Sequence, residues 1–334
     1  MMIRLKNDGI ATVSLNDIQL EMRDQVESKV KNGTYQLEEI SCPVCQKVDR
    51  EIVGEKDRYG LTCTTNLCRS CGLAYTSPRM VQEAFNDFYN KEYRKLYGGT
   101  IAATGEFFAQ QEETGKKIYH FLESNDLLAG QSLSVFEVGC GAGGILNFFK
   151  KKGHKVSGID LGEEYLKYGR KEHGLDIRGG TLADIELIQK PDLIIYSHVM
   201  EHILDLKREV ECIKAACHEN TVVYVEVPGL KAIHMAYRMD ILTYLQNAHT
   251  FHFTLNSLCN IMKQGGFGLI VGNELVMSAF RISKAGEKSS NEFASTFSYL
   301  KRVEKYRKLF RVTPFAIKGK IRRLWSRLVK KSKY

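Results

Sequence analysis

Apolar positions recur first with the period of a helix, then scatter through a cysteine-rich stretch. Beyond residue 132 they gather into short runs separated by amphipathic segments. Ile18, Met22, Val26 and Val30 form an i, i+4 stripe that predicts a helix over 16–31, capped by Asn16 or Asp17 and stopped at Gly33. Residues 81–99, VQEAFNDFYNKEYRKLYGG, place Phe85, Tyr89, Tyr93 and Tyr97 at four-residue intervals, a helix with an aromatic face ending at Gly98-Gly99. A second helix is expected over 106–123. Then LSVFEV, KVSGID, GLDIRGG, PDLIIYS and TVVYVEVP read as strands, and LNFFKKKG, EEYLKYGRKEHG, LDLKREVECIKAAC and LNSLCNIMKQGG as helices. FGLIVGN and VMSAFRIS, close in sequence, predict a closing antiparallel hairpin. Strands alternating with helices imply an α/β fold, a mostly parallel sheet with helices on both faces. Residues from about 285 onward fall outside that sheet, and no internal repeat is visible.

Composition narrows the class. The 334 residues are 43% hydrophobic and 26% charged, with 28 Gly and 5 Pro, which excludes collagen-like and low-complexity chains. No run of about 18 apolar residues exists. The start, MMIRLKNDGIATVSLNDIQ, lacks the apolar centre of a secretory leader, so a cytoplasmic location is expected. The net charge of +9 is local in origin. From Lys301 onward there are 14 basic residues and one acid; the preceding 300 residues hold 34 basic and 38 acidic. The body is mildly acidic, so a general affinity for nucleic acid is not expected.

Five of the nine cysteines lie between Cys42 and Cys71. Cys42-Pro-Val-Cys45 and Cys68-Arg-Ser-Cys71 are two CxxC knuckles. Each brings two thiolates to one tight turn, and two turns complete a tetrahedron around Zn2+. Four protein ligands leave no open position, so this ion is expected to be structural. Cys63 is the spare, a nearby thiol or a core residue.

The first strand of the α/β region runs into V135-F-E-V-G-C-G-A-G-G144. Gly139, Gly141 and Gly144 fit the dinucleotide pattern GxGxxG, and Glu137 with Gly139, Gly141 and Gly143 equally fits ExGxGxG. Both need glycine because the backbone must approach a ligand closely. Glu137 discriminates: a carboxylate there repels a pyrophosphate and suits a cationic ligand such as S-adenosylmethionine, which carries an ammonium and a sulfonium. Asp160, ending the KVSGID strand, can accept from ribose hydroxyls.

These residues, with DLIIYSHVMEHILD after the fourth strand, resemble the class I S-adenosylmethionine-dependent methyltransferases over roughly residues 127–285. The resemblance implies a Rossmann-like seven-stranded methyltransferase sheet with a small zinc ribbon and helical extensions. It also implies that Glu137 and the backbone of Gly139, Cys140, Gly141 and Gly143 face the methionine part of the cofactor. Asp160 then holds the ribose, Leu161 and Leu182 meet the adenine, and Ser197 and His198 flank the sulfonium. The segment CPVC…CRSCGLAYTSPRM…FYNKEYRKLYGG resembles the zinc-binding amino-terminal module of methyltransferases acting on nucleotide-linked sugars and surface polysaccharides. The organisation expected is a helical extension over 1–40, a zinc ribbon over 41–78, a helical connector or lid over 79–126, the methyltransferase domain over 127–285 and a basic amphipathic tail over 286–334.

Methyl transfer to a hydroxyl or an enolisable carbon requires a base. LQNAHTFHFTLNSL resembles the segment of sugar C-methyltransferases that carries their catalytic His, and His249 falls on that position; a helix-capping loop histidine is the plainer alternative. Ala248 stands where those enzymes have Glu, and a further carboxy-terminal domain is lacking, so O-transfer is favoured over C-transfer. His202 and His252 are secondary candidates. Tyr89, Tyr93 and Tyr97 read either as a core face or as a lid over the cofactor.

Residues 315–331, FAIKGKIRRLWSRLVKK, put Ile317, Ile321, Leu324, Trp325 and Leu328 on one helical face among basic residues. That pattern fits an interfacial helix on the anionic inner face of a membrane, with an acidic protein partner or RNA as rivals. The reading is an S-adenosylmethionine-dependent methyltransferase with structural Zn2+, acting on a sugar or glycan. An RNA or other small-molecule methyltransferase, and a non-catalytic cofactor-binding scaffold, stand as alternatives that steep salt-dependent RNA binding or failure to bind the cofactor would favour.

Overall fold

The computed structural model describes residues 3–99, 105–128, 132–283 and 290–310; the basic stretch 315–331 lies outside them. Helix α1 (Asp17–Lys31) begins at Asn16, whose side chain accepts from the Gln19 N–H while the Gln19 side chain accepts from the Asn16 N–H. This reciprocal cap satisfies two of the donors left over at a helix start. Short strands follow: β1 (Leu37–Glu38), β2 (Arg50–Lys56), β3 (Thr62–Cys68), β4 (Ala74–Thr76) and β5 (Arg79–Met80). Next come α2 (Gln82–Phe88), α3 (Arg94–Gly98) and α4 (Gly105–Glu123).

Between α2 and α3 the chain makes a π turn, Tyr89–Tyr93. A stripe repeating every four residues drifts around an α-helix of 3.6 residues per turn. The wider i→i+5 turn absorbs the drift. Tyr89 and Tyr93 stack with centroids 4.0 Å apart, and Tyr93 and Tyr97 follow at 4.7 Å.

The α/β region supplies β6 (Ser134–Val138), α5 (Gly144–Lys151), β7 (Lys155–Asp160), α6 (Glu163–His173), β8 (Asp176–Gly179), β9 (Leu193–Ser197), α7 (Leu206–Ala216) and β10 (Val222–Glu226). After β10 come the one-turn helices α8 (Ile233–Ala236) and α9 (Ile241–Tyr244), then β11 (Phe251–His252), α10 (Leu255–Gln264), β12 (Phe267–Gly272) and β13 (Met277–Ile282). Seven strands pair in the order β12-β13-β10-β9-β6-β7-β8, with β13 antiparallel between β10 and β12. This is the Rossmann-like seven-stranded sheet with the closing hairpin expected from the sequence. The chain runs from β6 outward through β7 and β8, then returns to place β9 on the other side of β6. A crevice therefore opens at the carboxyl ends of β6 and β9.

A second sheet, β11-β4-β3-β2, joins the cysteine-rich segment to the loop after β10. The two sheets share one core: Cys42, Cys68, Cys71, Leu73 and Tyr75 pack in the same apolar cluster as Phe136, Ile194, Val225 and Phe253. Part of the segment read as a tail, α11 (Phe293–Phe310), folds back on the molecule. Its Leu300 and Val303 are buried among Leu5, Ile241, Leu242 and Leu245, and Arg4 pairs with both Glu304 and Asp240. Among the described residues no helix is long and apolar enough to cross a membrane.

Candidate active site

The turn after β6 is a backbone cradle. Gly139, Gly141 and Gly143 have φ of +72°, +56° and +81°. A Cβ on Gly139 would stand 2.4 Å from Val199 Cγ2, and one on Gly144 would stand 2.4 Å from the Phe108 carbonyl oxygen. The N–H groups of Gly139 and Cys140 both donate to the Ile159 carbonyl, at 2.8 and 2.9 Å, which fastens the turn to the end of β7. Gln111 of α4 braces it from outside: its Nε2 donates to the Cys140 carbonyl (3.1 Å) and its Oε1 accepts from the Gly144 N–H (3.3 Å).

Two carboxylates border the cradle. Asp160 accepts from the N–H groups of Gly141 (2.9 Å) and Gly162 (2.6 Å) and from Arg94 Nη2 (3.2 Å). Arg94 in turn lies 3.8 Å over the Tyr165 ring. Glu137 is only 1% exposed, and its Oε2 has no hydrogen-bond partner. Burial, with the charge of Asp160 added to it, pushes the Glu137 carboxyl well above the usual carboxylate range. An unsatisfied buried oxygen calls for a partner, and a ligand cation supplies one. The cradle and Glu137 thus fit a nucleoside that carries an ammonium in place of phosphate.

Beyond β9 lies a second group of polar side chains. His198 adopts φ +57°, a left-handed conformation that costs a residue with a side chain roughly 1–2 kcal/mol. Its N–H donates to the Glu226 carbonyl at 2.8 Å, tying the ends of β9 and β10. Three residues on, Glu201 is buried with neither carboxylate oxygen hydrogen-bonded; the nearest ring nitrogens are His198 Nδ1 at 3.4 Å and His202 Nε2 at 3.9 Å. His202 Nδ1–H donates to the Ala248 carbonyl (3.0 Å), leaving the Nε2 lone pair toward Glu201. The His249 ring stands edge-on to His202 at 4.8 Å, and Tyr89 and Tyr93 close the other side of His202 at 5.7 and 5.6 Å. The aromatic stripe is thus both a packed face and one wall of this cluster. Burial lowers both His202 and His249 below the ordinary histidine range.

Comparison with known proteins follows from this geometry. The sequence profile described as a methyltransferase domain matches residues 93–270, more than half of the chain. The chain belongs to this methyltransferase-domain family. It is 25% identical over 136 residues to an uncharacterized methyltransferase of Staphylococcus carnosus, a match covering 39% of this chain and 63% of the other. It is 28% identical over 113 residues to a malonyl-[acyl-carrier protein] O-methyltransferase of Pectobacterium atrosepticum, covering 33% and 43%. The chain thus spans less than two thirds of the length of either relative. Among solved structures, the 1,6-didemethyltoxoflavin-N1-methyltransferase of Burkholderia thailandensis superposes with a TM-score of 0.46 at 14% identity, covering 64% of this chain and 96% of that one.

This methyltransferase-family chain also brings its four knuckle cysteines together. Cys42 Sγ lies 3.4 Å from Cys71 Sγ, Cys45 Sγ lies 3.4 Å from Cys68 Sγ, and all four sulfurs fall within 4.8 Å of one another. A zinc tetrahedron with 2.3 Å legs has edges of about 3.8 Å, so the set fits. Both knuckles turn alike: the residue after the second cysteine is left-handed, Gln46 at φ +58° and Gly72 at φ +85°. Cys63 lies outside the set; it is buried against Thr76, and burial pushes its thiol up to about 12.

The remaining sequence candidates fall as follows. Leu161 is exposed just past β7, Leu182 is buried in the shared core, and Ser197 ends β9, half-buried. Glu137, Asp160 and the glycines converge on one crevice, whereas His252 is buried beside Tyr244 with neither ring nitrogen hydrogen-bonded. Sequence reasoning missed Arg94 and Gln111, which reach the cradle from helices outside the α/β unit and carry no local pattern. It named His202 but gave its neighbour Glu201 no role; a Glu-His pair four residues past a predicted strand end was the available signal.

Proposed function

We propose that this chain transfers the methyl group of S-adenosylmethionine to a hydroxyl of a sugar, carried on a nucleotide or within a growing surface glycan. The observation that carries the cofactor assignment is Glu137, a buried carboxyl with an unpartnered oxygen beside a glycine cradle. S-adenosylmethionine, when bound, supplies a methyl group already activated on a sulfonium. The backbone of Gly139, Cys140, Gly141 and Gly143 borders its methionine part, and Asp160 offers oxygens to the ribose. Leu161 and Leu182 border the adenine, and Ser197 and His198 face the sulfonium. The chain's own task is to orient the acceptor and take its proton. We assign the proton to the Glu201–His202–His249 cluster, through His249.

The sugar acceptor is supported by the two-knuckle cysteine module and by the way it encloses the site. Thr76 of β4 donates its N–H to the Thr250 carbonyl (2.9 Å) and its hydroxyl to the His249 carbonyl (3.1 Å). Zn2+ in the Cys42, Cys45, Cys68 and Cys71 site holds that module closed and has no position free for substrate. Incubation with methyl-labelled cofactor and a panel of nucleotide-sugars is expected to label at least one of them. His249→Ala is expected to lower kcat by about 100-fold or more while cofactor affinity is kept. Unchanged turnover in that variant removes His249 from the reaction, and a panel without label removes the nucleotide-sugar acceptor.

The basic stretch 315–331 is proposed to rest on an anionic membrane surface, where a lipid-linked glycan would be made. Full-length protein should sediment with phosphatidylglycerol-containing vesicles, and a chain ending at residue 310 should stay in solution. Equal sedimentation of the two counts against this role.

A further inference from the structure

The Glu201 carboxylate is the least satisfied charged group beside the crevice. Its side chain is 2% exposed, yet neither oxygen has a hydrogen bond. Its nearest partner is a long one, the His198 Nδ1 at 3.4 Å, and a buried carboxylate so weakly satisfied is costly and suits a bound ion. Beyond His198 stand two further imidazoles, His202 and His249. One ligand atom each from Glu201, His202 and His249 lie within 4.8 Å of one another.

We propose that Glu201, His202 and His249 form a second metal site, distinct from the cysteine site, which takes a zinc-class divalent ion and keeps open positions toward the acceptor. Two imidazoles and one carboxylate are a donor set that binds such ions and leaves coordination free for a substrate oxygen. His202 is already arranged as a ligand. Its Nδ1–H is committed to the Ala248 carbonyl at 3.0 Å, which orients the ring and leaves Nε2 to bind. His249 is held from both flanks, its carbonyl accepting from the Thr76 hydroxyl and its N–H donating to the Gln246 carbonyl. The backbone of Glu201 is fixed as well, since its carbonyl accepts from both the N–H and the hydroxyl of Thr250.

Metal legs of about 2.1 Å require donor atoms about 3–3.5 Å apart, so an edge as wide as 4.8 Å must close by roughly 1.3–1.8 Å. The Glu201 side chain can supply part of that movement because its one close partner, His198 Nδ1, is at the long distance of 3.4 Å. Tyr89 and Tyr93 shield the inner side of His202. His198, half-exposed, marks the side open to the crevice.

The site stands on its own geometry; the use made of it rests on the methyl-transfer reading. There, with an ion bound, His249 would serve as a ligand rather than as the free base assigned above, and the ion would acidify the acceptor hydroxyl, whose proton leaves to water; with the site empty, His249 takes that proton itself.

The test uses full-length protein carrying zinc in its cysteine site, titrated with Co2+. The expected result is one further equivalent bound, with weak visible d–d bands and no thiolate charge-transfer absorption. Glu201→Gln and His249→Asn should each weaken that binding by about 100-fold or more. Glu201→Gln keeps the shape of the side chain, so it should fold as the parent does, and unchanged circular dichroism checks this. Absence of a second equivalent in the parent protein, or equal Co2+ affinity in folded variants, overturns the proposal. These readouts involve no turnover, so an inactive sugar panel leaves them standing, and an active enzyme without a second ion rejects the metal site alone.

Discussion

Glu137→Gln is expected to weaken S-adenosylmethionine binding about 100-fold, close to 2.7 kcal/mol, as measured by calorimetry on the folded variant. The change keeps the shape of the side chain and deletes only its capacity for charge. In the ligand-free protein, burial and the neighbouring Asp160 push the Glu137 carboxyl well above its ordinary value. An ammonium placed against it favours the ionised form. Binding should therefore release protons, and its enthalpy should change with the ionisation enthalpy of the buffer. Affinity should rise with pH and level off once the free carboxyl has ionised. Both signatures should vanish in the Gln variant.

The same raised value sets the sign for stability. A carboxyl that binds its proton more tightly folded than unfolded stabilises fully below the ordinary carboxylate range and loses that contribution as pH rises through its folded value. The Gln variant should blunt this fall in ligand-free Tm. Wild-type affinity in Glu137→Gln, or preferential binding of a nicotinamide dinucleotide by the parent protein, would sink the cofactor assignment.

Cys68→Ser should abolish zinc retention and lower Tm by more than about 10 °C, or prevent folding. Binding of a structural zinc is worth about 10–16 kcal/mol in small domains, as much as the whole stability of a typical protein. Here the loss cannot stay local, because Cys42, Cys68 and Cys71 lie in the same core cluster as Phe136 and Val225 of the large sheet. The Gln264 side chain also donates to the Val44 carbonyl inside the first knuckle, linking α10 to it. Cobalt substituted into the parent protein should show intense thiolate charge-transfer absorption, and Cys68→Ser should lose it. A parent protein that retains no zinc, or a Cys68→Ser variant with unchanged Tm, refutes a structural ion.

Much of the fold was legible because its signals are local. The cap at Asn16 needs only Gln19, three residues away. The strand LIIYS is buried almost throughout, so its apolar run announces it. The glycine turn needs conformations closed to other residues, so Glu137, Gly139, Gly141 and Gly143 appear as a motif within seven positions. The π turn was visible only as a four-residue aromatic spacing that an α-helix does not match. Helix α11 was not distinguished from the basic stretch that follows it, because its buried face is narrow and its other faces carry the same lysines and arginines.

The sequence by itself determined the order of strands and helices, the cysteine tetrad and the carboxylate at the cradle, since each depends on residues a few positions apart. Only the tertiary structure decided that the cysteine module shares a core with the large sheet. It alone brought Arg94 to Asp160 and closed Glu201, His202 and His249 into one cluster. Those contacts join segments 47 to 66 residues apart, counted from Glu201–His202 to His249 and from Arg94 to Asp160. The histidine cluster is fixed by β11 pairing with β4, which holds the His249 loop beside that strand, and Arg94 is carried to Asp160 by a separate helix; no local pattern encodes either contact.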